Sequence, residues 1–156
     1  MALILVASSA CTRDKDEVPG DYVDLGLPSG TKWKAVNERN AANAENEFFT
    51  YEEAKSAFGN KMPSREQWME LVNECYWTWS GMGCVVVGIT GNSISLPASG
   101  YRERDGSVSD VGFGGYYWSS SPDGSDMAWG LSFDSCSLGL FNDSCSYGLS
   151  VRLVKD

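Results

Sequence analysis

Histidine is absent from the 156-residue chain, and with it go the usual general base, the Ser-His-Asp arrangement and the Cys-His pair. The five cysteines include no C-x-x-C pair, so a cysteine-only zinc cage has no local framework, and we expect neither a metal site nor a catalytic residue. Basic residues are scarce. Twelve Lys and Arg face 21 Asp and Glu, the formal charge is -9, and no basic cluster exceeds Arg102 to Arg104. A phosphate backbone would be repelled, which argues against nucleic acid as a partner. No apolar run approaches the roughly 20 residues that cross a bilayer as a helix. The carboxylate pairs Glu52 with Glu53 and Glu103 with Asp105 read as a solvated helix face and a polar loop rather than as acid-base machinery.

What is present is apolar and aromatic. The chain is 42% hydrophobic, with six Trp, seven Tyr and six Phe, enough area for one substantial core. The beginning, MALILVASSACTRDKDEVPG, places a short apolar run and small residues ahead of Cys11. That order is similar to the end of a bacterial lipoprotein signal, which makes Cys11 the expected lipidation site and residues 1–20 a truncated signal plus tether. A buried N-terminal strand is the alternative. Under the first reading the chain is exported, an outer-membrane or cell-surface lipoprotein that touches the membrane only through its lipid.

One domain is expected over residues 21–156. YVDLGLPSGTKWKAVN alternates apolar and polar positions around a Pro-Gly turn and predicts two strands. Two helices follow, each announced by a capping box: Thr50 with Glu53, and Ser64 with Gln67. In the second helix Trp68, Leu71, Val72 and Cys75 recur at helical spacing, so one stripe should face a core. After Trp77 the β-branched and aromatic runs CVVVGI, SISLP, GYYWSSS, AWGLSF and LSVRLV alternate with Gly, Asn, Ser and Asp clusters and read as strands. Early helices and late strands predict an α+β domain of two helices plus irregular antiparallel sheets.

The motifs YVDLGLPSGTKW, KMPSREQWMELVNEC, WTWSG, GNSISLPASGYR, GYYWSSS and LSVRLV, in that order, resemble the C-type-lectin-like domains of bacterial surface lipoproteins, of the formylglycine-generating-enzyme type. The resemblance runs from Asp21 to the C-terminus and implies the C-type lectin-like fold. Oxidase activity does not transfer with it, because those enzymes use a closely spaced copper-binding Cys pair and Cys136 and Cys145 are farther apart. Calcium-dependent sugar binding is not implied either, since Ala98 and Ser99 stand after Leu96 and Pro97 where carboxylate and amide ligands belong.

Many such domains are the variable targets of diversity-generating retroelements, which rewrite Asn codons near the 3′ end of a gene into codons that cannot encode Lys, Glu, Gln, Met or Trp. From Gly130 to Tyr147 none of those five residues occurs. The resemblance therefore implies a non-enzymatic binding protein, without cofactors, whose last 30 or so residues form a face for a protein or glycan ligand on another cell, a phage or a host surface. An invariant adhesin or a structural subunit of a surface assembly is the alternative, and an oxidase of the formylglycine type stands behind both.

Strand alternation would turn Trp129, Leu131 and Phe133 inward, with Leu138 and Leu140 resuming that set after a turn or bulge near Cys136 and Ser137. Gly130, Ser132 and Asp134 would then point outward. The candidate ligand-binding set is Asp126, Gly130, Ser132, Asp134, Cys136, Ser137, Gly139, Phe141, Asn142, Asp143, Ser144, Cys145, Ser146 and Tyr147. Phe141 and Tyr147 are the aromatic anchors of that set, although Phe141 also reads as a core residue. Cys136 and Cys145, each in a DSCS repeat, are either variable surface thiols or a disulfide. Cys75 reads as core, with pairing to Cys84 as the alternative.

Overall fold

The computed structural model describes residues 21–41 and 47–156, so the apolar run, Cys11 and the tether lie outside the described residues. Strand β1 (Tyr22–Val23) pairs antiparallel with β2 (Lys32–Lys34) around the Pro-Gly turn, closed by Gly30 N–H donating to Leu27 O at 2.9 Å. Helices α1 (Tyr51–Phe58) and α2 (Arg65–Glu74) start at the two predicted capping boxes, each with both reciprocal hydrogen bonds formed. No helix among the described residues is long and apolar enough to cross a membrane.

The strands that follow are β3 (Tyr76–Trp79), β4 (Gly83–Val87), β5 (Ser93–Pro97), β6 (Tyr101–Arg102), β7 (Val108–Ser109), β8 (Gly115–Asp123), β9 (Met127–Phe133), β10 (Leu138–Ser144) and β11 (Val154–Lys155). They form small antiparallel sheets: β3-β4-β5, the pair β6-β7, and β8-β9-β10 with β9 in the centre, while β11 adds to β2. The α+β class is as expected: short helices beside several antiparallel sheets.

Two apolar clusters hold these layers together. The first gathers Trp33, Trp68, Leu71, Val86, Leu96, Tyr117, Leu131 and Phe133, with the Trp33 and Trp68 rings 4.6 Å apart. Trp68 and Leu71 reach it because they fall on one stripe of α2, and Val72 and Cys75 pack at its margin. The second cluster, Phe49, Ala54, Met62, Trp118, Ala128, Leu149 and Val151, lies on the other side of the β8-β9-β10 sheet. Adjacent residues Tyr117 and Trp118 enter different clusters because successive strand side chains point to opposite faces.

LSVRLV, expected as a strand, is one only at its end, in β11. Residues 148–154 are all buried. They run between sheets rather than along one, and their backbone groups bond to separate elements: Leu149 with Phe49, Ser150 with Tyr116 and Trp118, Val151 with Glu38, and Leu153 with Lys34. A buried backbone must be satisfied, and here several elements share the task that a ladder would perform.

Candidate ligand-binding face

The C-terminal hairpin places the expected residues on two faces and at two ends. β9 pairs with β10 in an unbroken register from Phe133 opposite Leu138 to Met127 opposite Ser144. Tyr116, Ser132 and Gly139 therefore lie in one row across the outer face, and Gly130 and Phe141 in the next. On the opposite face Leu131 and Leu140 pack toward α2 and the first cluster, and Trp129 carries the Arg65 guanidinium 4.4 Å above its ring.

Four half-buried rings form a continuous band on the outer face. Phe141 meets Tyr116 at 6.0 Å, Tyr116 meets Tyr101 at 5.1 Å, and Tyr101 meets Tyr147 at 5.9 Å, all edge to face. Arg104 lies 5.2 Å over Tyr147. The Tyr116 hydroxyl donates to Asp110 Oδ2 at 2.7 Å, and burial together with that bond raises its pKa. In the turn that Asp110 opens, with Phe113 and Gly114 N–H both donating to Asp110 O, Phe113 is 77% exposed and Val111 is 61% exposed. Rigid rings with polar tips provide contact area at little entropic loss on binding, the chemistry of an anchor set.

Phe141 thus joins the two expectations made for it: its inner edge rests on the second cluster while the ring is half-buried beside Tyr116. Tyr101, Tyr116, Arg104 and Phe113 were not anticipated from the sequence. The available signal was the Tyr116-Tyr117 pair, which in any strand must send one ring to each face.

Several expected positions are corrected. Gly130 does not face solvent: β9 is a central strand covered on both faces, and a Cβ there would stand 2.5 Å from Tyr117 O and 2.9 Å from Phe141 Cε1. Leu138 does not return to the core; it is 36% exposed at the end of the hairpin, beyond the cover of α2. Asn142 points to the α2 side and donates to Asp123 Oδ2 at 2.5 Å, so it does not share the outer face with Phe141. Cys145 is half-buried against the second cluster, and that burial raises its thiol pKa.

A Cys136–Cys145 disulfide is excluded in this fold. The four described cysteines are free, and β10 separates these two from end to end. The six residue steps of β10, at about 3.3 Å each, alone span roughly 20 Å, against the limit of about 7 Å between bridged Cα atoms. Cys75 and Cys84 do not pair either, because Cys84 stands opposite Trp79 at the far end of β3 from Tyr76, the neighbour of Cys75.

The remaining positions fall at the two ends of the hairpin. Asp126, Ser144 and Ser146 gather where β9 begins and β10 ends, with the Ser144 and Ser146 hydroxyls 2.8 Å apart, while the half-buried Asp143 accepts from Ser144 N–H at 2.7 Å. Asp134, Cys136 and Ser137 are exposed in the connecting turn. There Asp134 Oδ1 accepts from the N–H groups of Cys136 and Ser137, both at 2.7 Å, and these bonds depress its pKa below 3.8. A depressed carboxylate stabilises the fold above its ordinary pKa and loses that contribution as pH falls through the folded-state value. Asp134→Ala should therefore lower the melting temperature at pH 7, with native and variant curves converging below the depressed pKa; an equal gap at acid and neutral pH would assign the loss to something other than this carboxylate.

Among the described residues no group of three or more His, Cys, Asp or Glu could hold a metal ion. A cleft of about 670 Å³ lies elsewhere, lined by Asn37, Glu38, Glu47, Ser95 and Arg152. Comparison with curated proteins and with solved structures finds no match. A family model does match residues 63–154, which take in α2 and the whole of the β8-β9-β10 sheet. Since that is more than half of the chain, the chain belongs to the family described as Domain of unknown function (DUF8237).

Proposed function

We propose that this chain is a non-enzymatic, surface-displayed binding domain with the C-type lectin-like fold, and that the outer face of its C-terminal hairpin takes a protein or glycan ligand on another cell, a phage or a host surface. The single observation that carries the reading is the band of four half-buried rings, Phe141, Tyr116, Tyr101 and Tyr147, laid edge to face across one side of the hairpin. Half-buried rings are held by the scaffold yet keep area for a partner, which is how a few aromatic anchors come to dominate an interface. Lipid anchoring at Cys11 would present the domain outward. The make-up of Gly130 to Tyr147 fits a retroelement-diversified target.

Two positions favour the rival reading of an invariant adhesin or structural subunit. Gly130 has no room for a side chain and Asp134 holds the turn, so neither can vary freely. Diversification under the first reading is then confined to Ser132, Gly139, Phe141, Asp143 and the residues at the ends of the hairpin.

The native domain, Phe141→Ala and Tyr147→Ala should be compared on a glycan array and against a displayed protein library. Each substitution should weaken the strongest interaction by about 2 kcal/mol, roughly 30-fold. Undiminished binding by both variants would move the site off this face. A reverse-transcriptase gene beside this one, with a near-identical repeat differing at adenines, would separate the diversified reading from the invariant one.

A further inference from the structure

The connecting turn of the C-terminal hairpin closes over the inner face of the β3-β4-β5 sheet. Between them lies a recess of about 210 Å³, walled by Trp77, Trp79 and Leu138 and bordered by Cys84, Asp134 and Cys136. Two cysteines 52 positions apart in the chain thus share one small cavity. We propose that Cys84 and Cys136 are a redox pair that closes into a disulfide across this recess, fastening the hairpin to the β3-β4-β5 sheet.

Three observations carry the pairing. Cys84 is nearly buried, opposite Trp79 on β3 and Leu96 on β5, and its thiol is close enough to Asp134 to feel that carboxylate's charge. Asp134 in turn accepts the N–H of Cys136 at 2.7 Å, so the two cysteines flank one side chain. Finally, the turn is held by the Asp134 side chain and one backbone bond, Asp134 N–H to Ser137 O at 2.9 Å, rather than by a sheet ladder. A turn held this way has few bonds to break when it shifts, and closure requires the two Cα atoms to come within the range of about 4.4–6.8 Å of a disulfide.

The chemistry is thiol–disulfide exchange with a small-molecule disulfide such as oxidised glutathione. The exposed Cys136 thiolate attacks one sulfur of the oxidant, forming a mixed disulfide and releasing one glutathione thiolate. The Cys84 thiolate then attacks the Cys136 sulfur, the internal bond forms, and the second glutathione thiolate leaves. Two protein thiols are oxidised and one oxidant is reduced to two thiols. Burial first, and then Asp134, push the Cys84 thiol up to about 11, so the second step is slow at neutral pH.

The test is incubation of the native chain with oxidised glutathione at pH 7 and pH 9, quenching with acid, and proteolysis without reduction followed by mass spectrometry. A peptide joined through Cys84 and Cys136 is expected, with two free thiols lost per chain. Because the attacking thiolate is scarce below its pKa, the closing step should quicken about 100-fold between the two pH values. Cys84→Ser should stop at glutathione on Cys136, and the surface variant Cys136→Ser should form no internal bond and leave Cys84 unmodified. A stable mixed disulfide in the native chain at pH 9, or an internal bond that persists in Cys136→Ser, would overturn the pairing. Neither result depends on whether the outer aromatic face binds a ligand.

Discussion

Arg152→Leu is expected to destabilise the fold by about 3–5 kcal/mol, because a cationic side chain at the junction of three sheets is replaced by one that bonds to none of them. Arg152 is 1% exposed. Its Nε donates to Asn37 Oδ1 at 2.7 Å, Nη1 to Lys34 O at 2.9 Å and Nη2 to Ser95 O at 2.6 Å. Asn37 donates onward to the Tyr117 hydroxyl at 3.0 Å, and that hydroxyl donates to Pro97 O at 2.9 Å. One guanidinium thereby connects β2, β5 and β8.

Burial lowers the Arg152 pKa, yet a guanidinium starts so high that it stays charged through the physiological range. None of these three acceptors is a carboxylate; the nearby Glu38 is engaged by Lys34. Removing the cation relieves its desolvation but leaves two backbone carbonyls and an amide oxygen without their donor, and bonds from a charged donor are worth about 1.5–3 kcal/mol each. Lysine cannot rescue the site, since a single ammonium does not reproduce a planar fork aimed at three separate oxygens. Urea unfolding of the native domain and the Leu and Lys variants measures the loss. A change below about 1 kcal/mol in Arg152→Leu would mean that water replaces the guanidinium without penalty.

The second large effect separates two glycines that the sequence treats alike. Gly130→Val should cost about 3 kcal/mol or more, at the upper end of overpacking, because its first added carbon already stands 2.5 Å from Tyr117 O and backbone cannot move aside cheaply. The Phe141 ring, 2.9 Å from the same point, would be displaced from the aromatic band, so binding should fall along with stability. Gly139→Val should leave stability within about 0.5 kcal/mol, since no atom lies within 4 Å of its added Cβ. Thermal unfolding of the two variants side by side is the measurement. Equal losses would show that the sheet adjusts at both positions, and Gly130 would return to the set of changeable sites.

Much of the fold was legible from local pattern. Both helices begin where Thr50 with Glu53 and Ser64 with Gln67 make capping boxes, because a cap is satisfied by atoms only three residues away. The α2 stripe, the Pro-Gly turn and most of the late strands follow from short-range periodicity in the same way. LSVRLV was misread because a run of apolar residues records burial, and burial by several neighbours looks the same in sequence as burial in a ladder.

The candidate site was legible only in part. Phe141 and Tyr147 stand out as aromatic residues in a Ser-, Gly- and Asp-rich segment, but their neighbours Tyr116 and Tyr101 come from β8 and β6, about 25 to 46 positions earlier. The sequence by itself determined the inventory: no histidine, two capped helices, short strands, and a C-terminal stretch of small, polar and aromatic residues. Tertiary structure alone decided that β9 is central, so that Gly130 is enclosed; that Cys136 lines one recess with Cys84 and is held apart from Cys145; and that four rings from three strands and a loop lie side by side. Strand order and register are long-range pairings whose energies depend on which surfaces meet, and no window of neighbouring residues contains that information.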